Sequence, residues 1–220
     1  VEPLLRQKYR TVLFDGRGAG KSPSPVKPTD YVQDLLELFR HLKLERAALV
    51  GHSMGGQIAT EFALLYPERV SKLVLLAPSL CGFDFSADYA ERMRKVSEAA
   101  PDVDQMVALA LDFPSYRAVL SGPRKDLMVS MIRQHVMRTF EWSSFETVWP
   151  QPPAIERLGS LAVRTLLAIG DGDLPDLFRI AERFRQVPGV RIAEIEGADH
   201  MAMLTHPETV ARHIEQFLEE

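Results

Sequence analysis

The chain is short of several things, and each shortage removes a class of function. Its single cysteine, Cys81, allows no internal disulfide, which suits a reducing compartment and makes a cytoplasmic location the expectation. A lone thiol of this kind is expected to be buried rather than reactive. No apolar run approaches the roughly 18 to 20 residues that span a bilayer, so no membrane span is expected. The best segments are those around Leu73 to Ala77 and Leu166 to Ile169. Positive charge is scarce too: 26 Lys and Arg against 30 Asp and Glu leave a formal charge of −4. That balance lacks the basic footprint of phosphate-backbone binding, and no nucleic-acid partner is expected. HExxH, CxxC and EF-hand patterns are missing, and GRGAG at Gly16 to Gly20 lacks both P-loop lysine spacing and the dinucleotide-binding pattern. Neither a metal nor a cofactor is expected.

What is present is an ordinary globular composition, 46% hydrophobic and 25% charged over 220 residues, enough for one domain or one core domain with an insertion. Four β-branched or leucine-rich runs, each ending in Gly, Asp or Pro, read as strands buried on both faces. They are Arg10 to Phe14, Ala47 to Val50, Leu73 to Leu76 and Thr165 to Ile169. A fifth, Arg191 to Ile195, alternates more and suits a sheet edge. Thr29 and Asp30 open a helical pattern with Val32, Leu35, Leu36, Phe39 and Leu42 at three- and four-residue steps. A second helix is expected from Met54 to Leu65, and a last one from Pro207 with Val210, Ile214, Phe217 and Leu218 inward. This alternation predicts an α/β fold with a mainly parallel sheet flanked by helices.

Residues 82–158 break the alternation. They hold helical stretches, five of the eight methionines and both tryptophans, Trp142 and Trp149, without a convincing buried strand. They read as an inserted helical cap, from which Pro150, Pro152 and Pro153 make a stiff return to the core. The expected division is a core of residues 1–81 and 159–220 with the cap at 82–158.

The sharpest motif is Gly51, His52, Ser53, Met54, Gly55, Gly56, a GxSxG pattern between an expected strand and an expected helix. By composition it should arise by chance about 0.07 times in such a chain. A nucleophilic serine needs this spacing because it occupies a strained strand-to-helix turn whose neighbours two residues away must be small. The helix N-terminus and the Met54 amide then face the developing oxyanion. The plainer alternative is a serine in a Gly-rich turn.

Together with DGRGAGKS upstream and GADHM downstream, GHSMGG resembles the α/β-hydrolase superfamily, in its capped esterase, lactonase and carbon-carbon hydrolase branch. The likeness spans nearly the whole chain and is thin in the cap. It implies a catalytic triad in the chain order Ser, acid, His. Ser53 is then the nucleophile, and His200, in the loop after the edge strand, is the base. The acid is chosen from Asp171, Asp173 and Asp176, which crowd one loop. The family's GxxD pattern falls on Gly170 and Asp173, so Asp173 is the expected acid. Asp15 and Arg17 are expected to be structural, and Asp199 to point away from its neighbour His200. Metal-free, cofactor-free attack by Ser53, with Met54 N–H as oxyanion donor, is the implied mechanism.

The implied substrates are small or medium, mostly apolar esters or lactones, since a cap rich in Phe, Trp and Met should enclose an apolar cleft. Rival readings are a carbon-carbon bond hydrolase of vinylogous diketones, a cofactor-free haloperoxidase or acyltransferase, and a non-catalytic ligand-binding receptor of the same fold. A dehalogenase or epoxide hydrolase is disfavoured because those relatives carry Asp at the elbow. The resemblance also implies three strands and a helix before the segment matching Arg10 to Asp15, with a second oxyanion donor among them. Only Val1 to Tyr9 precede that segment here, so a missing natural beginning is a further expectation. Nothing in the residues sets the oligomeric state.

Overall fold

A computed structural model describes all residues from Val1 to Glu220. Strands β1 (Ala47–His52), β2 (Val70–Leu76), β3 (Thr165–Gly170) and β4 (Arg191–Ile195) form one parallel sheet in the order β1-β2-β3-β4. The central strands read as continuous apolar runs because both sheet faces are covered. Alternate side chains go to opposite sides. Leu73, Leu75, Leu167 and Ile169 enter the larger core cluster, while Val74, Leu76, Leu166 and Ala168 enter the smaller one.

The larger cluster is closed by α1 (Tyr31–His41), α2 (Met54–Leu65) and α7 (Pro175–Phe184), through residues such as Phe39, Phe62 and Ile180. The smaller one is closed by α8 (Pro207–Glu219), through Val210, Ile214 and Phe217. Asp30 caps α1 by accepting from Gln33 N–H at 2.8 Å, and Val32, Leu35, Leu36 and Phe39 form its buried stripe.

The expected strand at Arg10 to Phe14 is not a strand. Its backbone makes no ladder with β1, and Val12, Leu13 and Phe14 are exposed. An apolar run records a residue's liking for a sheet; a strand also requires a neighbour at hydrogen-bonding distance, and β1 pairs only with β2. Nearby, Asp15 and Arg17 have structural partners: Asp15 Oδ2 accepts from Lys21 N–H, and Arg17 forms a forked pair with Asp34.

Between β2 and β3 the chain makes no strand. It forms α3 (Ala87–Glu98), α4 (Val103–Leu111), α5 (Arg117–Ser121) and α6 (Lys125–Thr139). Two buried carboxylates tie this insertion to the helices packed on the sheet. Asp176 in the first turn of α7 accepts from Ser86 N–H at 3.0 Å and Ser86 Oγ–H at 2.7 Å, next to α3. Glu61 of α2 accepts from Ala154 N–H at 3.0 Å and pairs with Arg157 on the returning segment.

Candidate active site

Ser53 stands where β1 turns sharply into α2. Its φ of 51° is a left-handed conformation that costs a residue with a β-carbon about 1 to 3 kcal/mol. Ser53 N–H donates to Leu76 O of β2 at 3.0 Å, and Ser53 O accepts from Gly56 N–H at 2.9 Å and Ser79 N–H at 3.0 Å. The surrounding backbone therefore holds the turn in place.

The tightness falls on Gly51 and Gly56. A Cβ on Gly51 would lie 2.4 Å from Gly55 O, and one on Gly56 would lie 2.6 Å from Pro78 Cβ. At Gly55 a Cβ would meet nothing within 4 Å, so contact here does not demand the second small neighbour that the motif carries. Met54 opens α2, and a helix's first N–H has no partner within the helix. It remains available to a negative oxygen beside Ser53.

Adjacent strands β3 and β4 bring the other two residues to the same end of the sheet. Their loops are zipped together: Gly172 N–H donates to Ala198 O at 2.9 Å, and Gly197 N–H donates to Asp171 Oδ1 at 2.9 Å. Gly170 is required at this close approach, since a Cβ there would come within 2.4 Å of Ala198 O. Among the three crowded aspartates, only Asp173 reaches His200, with Oδ2 at 2.9 Å from Nδ1. Asp171 is occupied by Gly197 N–H, and Asp176 by Ser86 and an ion pair with Arg179.

The Asp173 side chain is fully buried and that of His200 is 12% exposed. A carboxylate only accepts, so Nδ1 carries the imidazole proton and the Nε2 lone pair is free. Ser53 and His200 line one cavity, and the Ser53 hydroxyl makes no hydrogen bond within the protein.

The family model for the alpha/beta hydrolase fold matches residues 1–207. The chain belongs to that family. This α/β hydrolase is 27% identical over 221 residues to a putative 2-succinyl-6-hydroxy-2,4-cyclohexadiene-1-carboxylate synthase of Bacillus subtilis, covering 95% of this chain and 81% of the relative. It is 28% identical over 233 residues to a 2-hydroxy-6-oxononadienedioate/2-hydroxy-6-oxononatrienedioate hydrolase of Paraburkholderia xenovorans, covering 99% and 79%. A hydrolase from Pseudomonas aeruginosa superposes with a TM-score of 0.79 at 23% identity, covering 99% of this chain and 83% of that one.

In this α/β hydrolase, further groups that no sequence pattern marks surround Ser53, Asp173 and His200. His52 Nε2 lies 2.9 Å from the His200 carbonyl oxygen, so Nε2–H donates, and the two rings are 4.6 Å apart. Burial, and then the proximity of His200, push the His52 pKa down to about 3. A neutral donor therefore holds the His200 backbone from below. From the insertion, Ser115 O accepts from His200 N–H at 3.0 Å. Asp199 does turn away from its neighbour: it is buried, accepting from Val119 N–H and Met201 N–H, each at 2.9 Å. No local pattern marks Ser115 or Val119; only their position over the His200 loop gives them a role.

The cavity holding Ser53 and His200 has a volume of about 550 Å³, and 16 of its 23 lining residues are hydrophobic. None of the 23 is Lys, Arg, Asp or Glu. Aromatic rings run along it, with Tyr89 4.4 Å from Phe85 and 5.7 Å from Phe113, and Tyr116 6.2 Å from His200. Trp142 lines it and Trp149 does not. Another recess, of about 310 Å³, contains Asp88, Arg92, Asp176 and Arg179 but neither Ser53 nor His200. Its charges are already paired, Arg92 with Asp88 and Arg179 with Asp176.

Proposed function

We propose that this α/β hydrolase cleaves small to medium, mostly apolar and uncharged carboxylic esters or lactones through an acyl-enzyme on Ser53. The observation that carries the reading is the paired His200 and Asp173 beside an elbow serine in one apolar cavity. His200 Nε2 takes the Ser53 proton as Oγ attacks the acyl carbon, and Met54 N–H donates to the oxyanion. The proton then passes to the leaving alkoxide, or to the ring oxygen of a lactone. Water deprotonated by the same Nε2 releases the acid and restores Ser53. Asp173 holds the tautomer throughout. Residues 82–158 serve as the cap that shuts the substrate away from solvent.

A carbon-carbon hydrolase is the second reading, favoured by the relative from Paraburkholderia that matches 99% of the chain. A dienedioate carries two carboxylates, and a cavity without Lys or Arg offers them no counter-ion. That difference favours a neutral ester or lactone. The test is intact-mass detection of a fluorophosphonate adduct mapped to Ser53, followed by hydrolysis of ethyl pentanoate and of the singly charged monoethyl glutarate. The reading expects the adduct and at least about a tenfold preference for the neutral ester, the scale of one unpaired buried charge. Absence of the adduct on folded protein, or preference for the charged ester, overturns it.

A further inference from the structure

The cavity wall is apolar except at a few points, and two of those are phenols: Tyr89 on α3 and Tyr116 just before α5. Buried tyrosines ordinarily find a partner for the hydroxyl. Neither of these does, although both side chains are partly buried. Nor is either oxygen among the side-chain atoms sealed from solvent without a partner, so both remain reachable. Tyr116 stands nearer the chemistry, with its ring 6.2 Å from that of His200. The arrangement leaves an unpaired hydroxyl in the wall of a largely apolar cavity, on a ring near that of His200.

We infer that Tyr116 is a specificity-determining residue whose hydroxyl donates a hydrogen bond to a neutral acceptor, a keto oxygen, carried by the substrate near its scissile bond. The inference rests on the ester or lactone reading above and narrows it to oxo-substituted esters or lactones. Three observations select this ligand chemistry. A phenol is already protonated at neutral pH from its ordinary value of about 10, and burial first, and then Tyr89, Asp173 and Asp199, push this one further up, to about 12. It is therefore available as a donor. No cation lines the cavity, and the carboxylates of Asp173 and Asp199 lie close enough to bias Tyr116, so an anionic acceptor is opposed. A plain alkyl chain would leave the hydroxyl unpaired when it displaces water, which costs binding.

The test compares wild type with Tyr116→Phe, which removes one oxygen and retains the ring. Two matched ester pairs are used: ethyl 4-oxopentanoate with ethyl pentanoate, and 2-oxopropyl butanoate with propyl butanoate. Within each pair the ratio of kcat/KM, oxo over plain, is taken for both proteins, so intrinsic ester reactivity cancels between them. In at least one pair the ratio is expected to fall roughly three- to tenfold in the variant, the effect of one neutral hydrogen bond. Ratios unchanged within twofold in both pairs, with wild type turning over all four esters, overturn the inference and leave the hydrolase reading standing. If wild type hydrolyses none of the four and forms no fluorophosphonate adduct, the hydrolase reading itself fails and takes the inference with it. A melting temperature for Tyr116→Phe close to wild type shows that the ratio reports specificity rather than damage.

Discussion

The sheet and the helical insertion are built by opposite rules. In the sheet every residue of β3 is buried, and the helices around it bury large apolar residues such as Phe39, Phe62, Phe184 and Phe217 in the core. In the insertion α3 buries no residue, and the 15-residue α6 buries only Met128 and Val136. Several apolar side chains of the insertion, among them Met93, Ile132 and Phe140, line the cavity, and Met106, Val107 and Val136 make only a small cluster of their own. A region that keeps its apolar surface for a ligand gives up the packing that would stabilise it alone. The backbone contacts from Ser115 and Val119 to the His200 loop show where the two regions meet. Ser53, Asp173 and His200 all lie on loops at the carboxyl ends of sheet strands, where close packing fixes geometry.

If chemistry belongs to the sheet and selectivity to the insertion, substitutions should separate accordingly. The largest effect is expected from Ser53→Ala: a loss in kcat on the order of 10⁵ to 10⁶, with the fold intact by circular dichroism. More than about a tenth of wild-type activity remaining would remove the serine mechanism.

Next comes Asp173→Asn, which should cost roughly 10³ to 10⁴ in kcat by disturbing the His200 tautomer. Asp171→Asn alters only the contact to Gly197 N–H and should cost far less. Similar small losses from both variants would move the acid elsewhere.

The tryptophans test the insertion. Trp142 lines the cavity, whereas Trp149 packs against the main core and donates from Nε1 to Thr147 Oγ1 at 2.8 Å. Trp142→Ala is expected to move the preferred ester toward longer chains, by about tenfold in relative kcat/KM, the low end of the effect of one added methylene in an apolar pocket. Trp149→Ala should instead lower the melting temperature by several degrees with an unchanged chain-length preference. A shared effect on all esters from both variants would erase the distinction between wall and anchor.

The smallest effect concerns His52, on the sheet side. Its folded pKa of about 3 lies below its ordinary 6.5. Between these values the unfolded chain binds the proton and the folded chain does not, so stability rises with pH across that window. The contribution is complete above about pH 6.5 and is lost as pH falls toward 3. Urea unfolding of His52→Asn at pH 7, 5.5 and 4 should therefore show a shallower loss of stability on acidification than wild type. Parallel losses would mean that His52 takes its proton in the folded state.

The candidate site was legible to the extent that its signals are local. Gly51 to Gly56 declare the elbow because strained backbone, small neighbours and a following helix all fall within six residues. Asp173 and His200 were reachable only through the family resemblance, by its GxxD pattern and its Ser, acid, His order, and their separation of 27 residues leaves room for one helix and one strand. Other features involve residues far apart in the chain. Arg10 to Phe14 has a strand's composition but no partner, and Gly55 has the motif's residue without a contact that requires it. His52, Ser115 and Tyr116 carry no pattern of their own; folding brings them to His200 from separate elements. Side-chain periodicity is written residue by residue and determined which elements would form and which faces they would bury. Which distant groups meet, and which polar groups are left without partners in the cavity, only tertiary packing decided, because both depend on distances that periodicity does not encode.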